Sequence, residues 1–380
     1  MSESSQGPLS GVRFVEMAGI GPAPFAAMVL ADLGAEGICI ESPRKGLQLG
    51  DADADTTRRG RARTVIDLRN DEGREVALDV IAHADILIEG FRPGVMEHLG
   101  LSPEQCLARR PSLVYGRMTG WGQDGPWAQT AGHDLNYIAL AGVLGHVGRR
   151  DQPPTPPLNL VGDYGGGAML LLVGVLAALA HAQRTGEGQV VDAAMVDGSA
   201  LLMSLFHSMR RAGLWSDARG SNLLDSGAPF YDVYRTSDDR WITLGCIEPQ
   251  FYAAWLGIAG LEAEDLPAQY DVTQWPVLRE RFASVIGGRT RDEWAALADG
   301  TDACIAPVLT MAEAPGHAHL AARGTFVEVD GTVQPAPAPR FSRTPASAPG
   351  AIRGADAAAL ADWGIDASRI QRLAAAGVIS

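Results

Sequence analysis

His133 and Asp163 are the residues of this chain best suited to moving protons. They stand thirty positions apart (163 − 133), in AGHDLNYIALAGVL and LNLVGDYGGGAML. Histidine titrates near neutral pH, and a sheltered carboxylic acid is driven up toward the same range. Placed on opposite walls of one pocket, such a pair could take a proton from one face of a carbon and return one to the other. Each lies beside glycine, Gly132 and Gly162, and Asp163 leads into Gly165, Gly166 and Gly167 at the mouth of an apolar helix. A glycine in a helix is worse than alanine by up to about 1 kcal/mol. Three in succession predict a close approach to the backbone, and open N–H groups able to hold a developing enolate oxygen. The plainer readings are an N-cap histidine with Asp134 capping, and an ordinary aspartate N-cap.

A third carboxylate, Glu248 in GCIEPQFY, sits at a helix start just after a strand. Glutamate is an unusual N-cap; the functional reading is a group that orients a histidine and raises its basicity. The plainer one is complementarity with the helix dipole. Arg58, Arg59, Arg61 and Arg63 form a basic cluster before one strand, and Arg69 and Arg92 follow later strand ends. In an acidic chain this fits a phosphate or pyrophosphate, with a solvated loop as the alternative. The preceding DADADTT, with Asp51, Asp53 and Asp55, would partly neutralise it. No metal-ligand spacing and no nucleophile elbow is present, so a metal site and a hydrolase triad are disfavoured.

The elements that position these residues alternate. VRFVEM, GICIESP, TVIDL, ADILIEG and SLVYGRMTG read as strands separated by helical patterns, which predicts an α/β fold with a parallel sheet and helices on both faces. The glycines of AGIGPAP do not form GxGxxG, which argues against a dinucleotide site there. Gly165 to Gln183 reads as a buried helix, QVVDAAMV as a buried strand, and Asp197 as the start of a helix to about Leu214. From Asn222 the texture becomes α+β: a hairpin FYDVYRT/WITLGC, then three helices. TFVEVDGTV reads as a hairpin, and the tail as two short helices returning to the first domain. The expected division is 1–221 as the first part of a large domain, 222–325 as a smaller inserted domain, and 326–380 as the return segment.

Hydrophobic content of 46%, charged content of 20% and a net charge of −14 describe a globular protein that does not bind nucleic acid. The run AMLLLVGVLAALA is too short for a bilayer, and no basic-then-apolar leader opens the chain, so a cytoplasmic protein is expected. Four scattered cysteines, Cys39, Cys106, Cys246 and Cys304, read as buried thiols.

GHDLNY, LNLVGDYGGG, GQVVDAAMVDG, NLLDSGAPFYDVY and CIEPQFY, in that order, make the chain resemble the family III CoA-transferase superfamily, and within it the α-methylacyl-CoA racemases. The resemblance covers almost the whole chain. It implies a Rossmann-like large domain, a smaller inserted α+β domain, and an interlocked homodimer whose active sites form between the large domain of one subunit and the small domain of the other. It implies racemisation of 2-methylacyl-CoA thioesters in fatty-acid and lipid metabolism, with no cofactor besides the CoA of the substrate. By motif, His133 and Asp163 are the acid and base and Glu248 supports His133. Arg59, Arg61, Asp67, Leu68, Arg69 and Arg92, with Gly132, Asp134, Asn136 and Tyr137, would line the substrate and CoA site. Close relatives carry arginines where this chain has Cys39 and Ser42; Arg44 and Lys45 follow and could substitute. The alternative is CoA transfer between carboxylic acids through an aspartyl-CoA thioester at Asp163, and a further one is a non-catalytic CoA-binding protein.

Overall fold

The structure is a computed structural model that describes residues 7–44 and 54–380. Lys45, Asp51 and Asp53 lie outside the described residues. The chain divides into two compact units.

The first unit comprises Met1–Ala141, Leu158–Leu202 and Ala321–Ser380. Its strands are β1 (Arg13–Met17), β2 (Glu36–Glu41), β3 (Arg61–Val65), β4 (Ile86–Glu89), β5 (Val114–Thr119) and β6 (Gln189–Ala194). All pair in parallel, in the order β3-β2-β1-β4-β5-β6. Its helices are α1 (Pro22–Asp32), α2 (Asp71–Ala82), α3 (Val95–His98), α4 (Pro103–Arg109), α5 (Asp134–Leu140), α6 (Met169–Thr185) and α7 (Met195–Leu202). Alternate residues of each strand enter opposite cores. Val15, Ile38, Ile40, Leu87 and Tyr115 meet α2 on one face. Phe14, Ile86, Ile88, Val114 and Met118 meet α1 and α6 on the other. Burial on both faces explains why these strands read as continuous apolar runs. The tail does return here: Asp67 N–H donates to the Val378 carbonyl at 2.9 Å and Val65 N–H to that of Ser380 at 2.9 Å.

The second unit comprises Gly142–Pro157 and Met203–Leu320. It holds α8 (Ser204–Arg211), the antiparallel sheet β7 (Tyr231–Arg235), β8 (Trp241–Gly245) and β9 (Ile305–Pro307), and α9 (Pro249–Ala259), α10 (Trp275–Ile286) and α11 (Arg291–Ala298). Phe230, Trp255, Trp275, Phe282 and Trp294 form its core. The buried Asp232 carboxylate bonds both Arg149 and Arg279, which ties the 142–157 excursion to the body of this unit. The break therefore falls before α8 and not at 222, and the Pro-rich stretch before Leu158 belongs to this unit instead of linking two parts of the first. β9 pairs with β8 from sixty-three residues away (306 − 243), too far for a local pattern to reveal.

Three local expectations change. QVVDAAMV forms an edge strand, bonded only to β5, and much of it is exposed. The helix expected from Asp197 breaks at Met203 into α7 and α8. The helix expected at Gly165 starts earlier: a π-helical segment, Leu160–Ala168, runs directly into α6. The combined Leu160–Thr185 is long and apolar enough to cross a membrane, unlike the short run read from sequence. Its inner face, including Leu171, Val175 and Leu179, fills the core between sheet and α1, while Met169 and Val173 stay exposed.

Glycines set where the π-helical segment lies. A Cβ on Gly198 of α7 would come within 1.8 Å of the Gly166 carbonyl oxygen, and one on Gly166 within 2.7 Å of the Ser199 nitrogen. The chain itself is thus what approaches these glycines. Gly198→Ala is expected to destabilise the protein by about 1–3 kcal/mol or more in urea unfolding, because backbone must separate. Gly145→Ala, where a Cβ meets nothing within 4 Å, should change stability by less than about 0.5 kcal/mol.

Candidate active site

The strand order reverses direction between β1 and β4, and in open parallel sheets the crevice beyond the carboxyl ends at such a point is where ligands bind. Gly21 belongs to the loop after β1, and Gly90 and Arg92 to the loop after β4. A Cβ on Gly21 would come within 3.2 Å of Asp163 Oδ2, and one on Gly90 within 3.3 Å of Ala23. Asp163 therefore stands at the switch point.

Asp163 is the fourth residue of the π-helical segment, half-buried, and no N-cap. Its Oδ2 accepts from Asn159 Nδ2 at 3.0 Å, and its own N–H donates to Asp134 Oδ1 at 2.7 Å. Burial raises its pKa above the usual aspartate value; Asp134 adds to the rise, while Asn159 and the charge of His133 oppose it. π-helical turns recur at functional sites because the wider turn re-aims side chains. Gly166 and Gly167 are buried inside this continuous helix, against Ser199 and Met195. The expectation of open N–H groups at the glycines is thus corrected: they admit α7, not a ligand.

His133 is the N-cap of α5, extended, with an exposed side chain; its N–H donates to Asn136 Oδ1 at 3.0 Å. The plainer reading of its backbone role is correct, and it leaves the imidazole free of capping duty. Asp134 is 5% exposed and faces Asp163. Tyr137 O–H bonds the Gly132 carbonyl, and a Cβ on Gly132 would press the Tyr137 ring at 2.8 Å. Burial, then the Asp163 charge, push the Tyr137 phenol up to about 12, and Arg92 opposes the rise. Gly132, Asn136 and Tyr137 thus shape the His133 turn through bonds within the chain.

The other expected contacts separate. Arg59 is 2% exposed; it bonds Asp32 at 2.5 Å and Gln334 at 2.7 Å, and so ties α1 to the hairpin β10 (Phe326–Val329) and β11 (Thr332–Pro335). Arg61, equally buried, pairs with Glu16 at 2.7 Å, and Arg58 and Arg63 share Glu41. These guanidiniums are spent inside the protein, so Arg59 and Arg61 do not present the open basic cluster read from sequence. Cys39 is buried beside Glu16 and Arg61, with its thiol pushed well up, and Ser42 is exposed next to Arg44. Cys304, by contrast with the other thiols, is exposed. Arg69 and Arg92 are exposed, Leu68 packs on the core, and Asp67 Oδ1 accepts the Arg69 N–H at 3.1 Å. The Asp67–Arg69 turn follows β3, two strand spacings or roughly 10 Å from β1 along the same sheet edge. Among the described residues, no three His, Cys, Asp or Glu side chains are grouped to hold a metal ion.

Glu248 is the N-cap of α9 in the second unit; its side chain makes no capping bond and is exposed. Two features escaped the sequence reading. Asn159 supports Asp163 from four residues upstream, a spacing that signals contact only once a helix is assumed. Trp121 stacks edge-on to Trp127 and Tyr137, and with Thr130, Asn136 and Leu140 lines an open groove of about 440 Å³ beside the His133 turn.

Comparison with known proteins bears on this geometry. The family model for CoA-transferase family III matches residues 9–356. The chain belongs to CoA-transferase family III. Among its relatives, the α-methylacyl-CoA racemase of Mus musculus is 46% identical over 89% of this chain and 87% of that protein. The human α-methylacyl-CoA racemase is 42% identical over the same shares. The fold is similar to that in the crystal structure of a CAIB/BAIF family protein from Brucella suis, with TM-score 0.80, 25% identity, and 94% of this chain and 100% of that one covered.

The loop carrying Arg92 is held by a buried acid. Glu89, fully buried, accepts the Phe91 N–H at 2.7 Å and bonds Arg117 at 2.9 Å; Arg117 also reaches Glu97. Burial pushes Glu89 up to about 7. A raised folded-state pKa means that the folded protein binds the extra proton, so this contribution is full below the unfolded value and is lost as pH rises through about 7. Urea unfolding of wild type and Glu89→Gln across this window should show the wild-type advantage growing as pH falls from about 7 toward about 4.5.

Proposed function

We propose that this chain racemises 2-methylacyl-CoA thioesters by proton transfer at the α-carbon. The observation that carries the reading is the pairing at the switch point of an exposed histidine with an aspartate of raised proton affinity, on two elements joined by one hydrogen bond. One of His133 and Asp163 takes the α-proton and the other supplies one to the opposite face; the reverse reaction exchanges the roles. As the base takes the proton, the α-C–H electron pair stays on the enolate; that pair then forms the new C–H bond with the proton released by the acid on the opposite face. Charge on the thioester oxygen falls to the N–H groups of Asp134 and Leu135, which open the first turn of α5 ahead of the Asn136 and Tyr137 N–H groups bonded to the His133 carbonyl. Arg92 and Arg69 lie along the sheet edge where an elongated CoA would run, and the Trp121–Trp127 groove suits the acyl chain. As proposed, the chemistry requires no cofactor.

We also propose a homodimer in which Glu248 of one copy supports His133 of the other. Exposed apolar side chains on the first unit, among them Val173, Val190, Leu201 and Leu202, support an oligomer.

Incubation of one epimer of a 2-methylacyl-CoA in D₂O should give deuterium at Cα together with epimerisation. His133→Ala and Asp163→Ala should each slow exchange by about 10²- to 10⁴-fold. Wild-type exchange in both variants would remove the proposal. The family also contains CoA transferases by name, and in that reading Asp163 attacks the thioester, so hydroxylamine trapping at Asp163 during turnover would favour it. Mixing inactive His133→Ala and Glu248→Ala chains should restore exchange if sites are shared between subunits; no recovery, or a monomer in sedimentation, refutes that arrangement.

A further inference from the structure

Asp134 lies between the two proton-transfer groups, and its side chain faces the protein. We propose that the Asp134 carboxylate is the positioning residue of this site, capping the π-helical segment from outside and setting both the placement and the charge state of Asp163. The inference deepens the proton-transfer reading and rests on it.

Three observations carry it. A helix start leaves N–H groups without intrahelical acceptors. The local cap, Asn159, makes no capping bond, because its amide turns to Asp163 Oδ2. Asp134, from α5, supplies the missing acceptor to the Asp163 N–H at 2.7 Å. Second, room for this carboxylate is built in: a Cβ on Gly162 would come within 2.5 Å of Asp134 Oδ1, so glycine precedes Asp163 for the sake of Asp134. Third, the charge exceeds what capping needs. Asp134 is 5% exposed and its Oδ2 is buried with no hydrogen-bond partner among the described residues, whereas a neutral amide would cap the same N–H. Burying an unsatisfied carboxylate oxygen is costly; beside it, burial first and then the Asp134 charge raise the Asp163 pKa.

The groups facing Asp163 are few. α5 contributes Asp134 and Tyr137, with His133 at its cap. The helix's own cap contributes Asn159. α7 carries Asp197, whose charge acts on Asp192. The ionisable residue of α1, Asp32, is paired with Arg59. The loop after β4 brings Arg92 to the same crevice, where its positive charge acts on Tyr137. Asp134 is therefore the negative charge that adds to the effect of burial on Asp163, and its removal should lower the Asp163 pKa.

The test combines a resting-state titration with kinetics. In Asp134→Asn, which keeps an acceptor oxygen and loses the charge, the Asp163 carboxyl ¹³C titration should move to lower pH than in wild type. Loss of kcat for α-proton exchange of roughly 10- to 100-fold is expected. KM should stay within about threefold, as for an interaction that acts in the transition state. An unchanged Asp163 titration, or a KM rise matching the kcat loss, overturns the inference. Should Asp134→Asn fail to fold, Asp134→Glu retains the charge and must keep Asp163 titrating high; a lowered titration there overturns it equally. A shifted titration in a protein without exchange activity would leave Asp134 in this role and sink the racemase reading instead.

Discussion

One hydrogen bond, from the Asp163 N–H to the Asp134 carboxylate at 2.7 Å, joins the two elements on which the proposed chemistry stands. It links the start of α5, which carries His133, to the π-helical segment, which carries Asp163. Much of the surrounding sequence serves it. Gly162 leaves space for the carboxylate, Gly132 leaves space for Tyr137, and Gly166 and Gly198 let α7 lie directly on the π-helical backbone. Without those contacts nothing would hold a π-helical turn in place at the start of an otherwise α-helical rod.

The sheet supplies the second constraint. Parallel strands put their carboxyl ends on one edge, and the reversal between β1 and β4 opens a crevice there. Gly21, Asp163 and the Arg92 loop meet at that crevice, and Asp67–Arg69 follows β3 farther along the same edge. A ligand with its reacting end at the switch point and its charged end toward β3 matches that layout. The buried ion pairs of Arg58, Arg59, Arg61 and Arg63 belong to the frame of the sheet, where they join β3 to α1, β1 and β2. Buried pairs of this kind add little net stability, but losing one partner strands the other, so they fix register.

The alternation of strands with helices, and the placement of His133 and Glu248 at helix starts, were legible from the sequence, because hydrophobic periodicity and cap chemistry are local. The family was legible from motifs spread over most of the chain. Arg59 and Arg61 were not: a run of arginines looks like an anion site until Asp32 and Glu16 arrive from other strands and helices to neutralise it. The glycine run misled for a related reason. Sequence shows that something approaches the backbone but not what, and α7, twenty-nine residues beyond Gly166 at its start (195 − 166), was the answer.

The amino-acid order by itself thus determined the elements, the parallel sheet, the family and the pair of titratable groups, since each rests on short-range pattern. Tertiary structure decided which charges are spent internally, that Asp163 lies within a π-helical turn, that Asn159 and Asp134 hold it, and that the chain leaves the first unit before α8 and rejoins it at Ala321. Those outcomes depend on contacts between segments far apart in the chain, where burial and geometry, rather than residue type, set what a charged side chain can do.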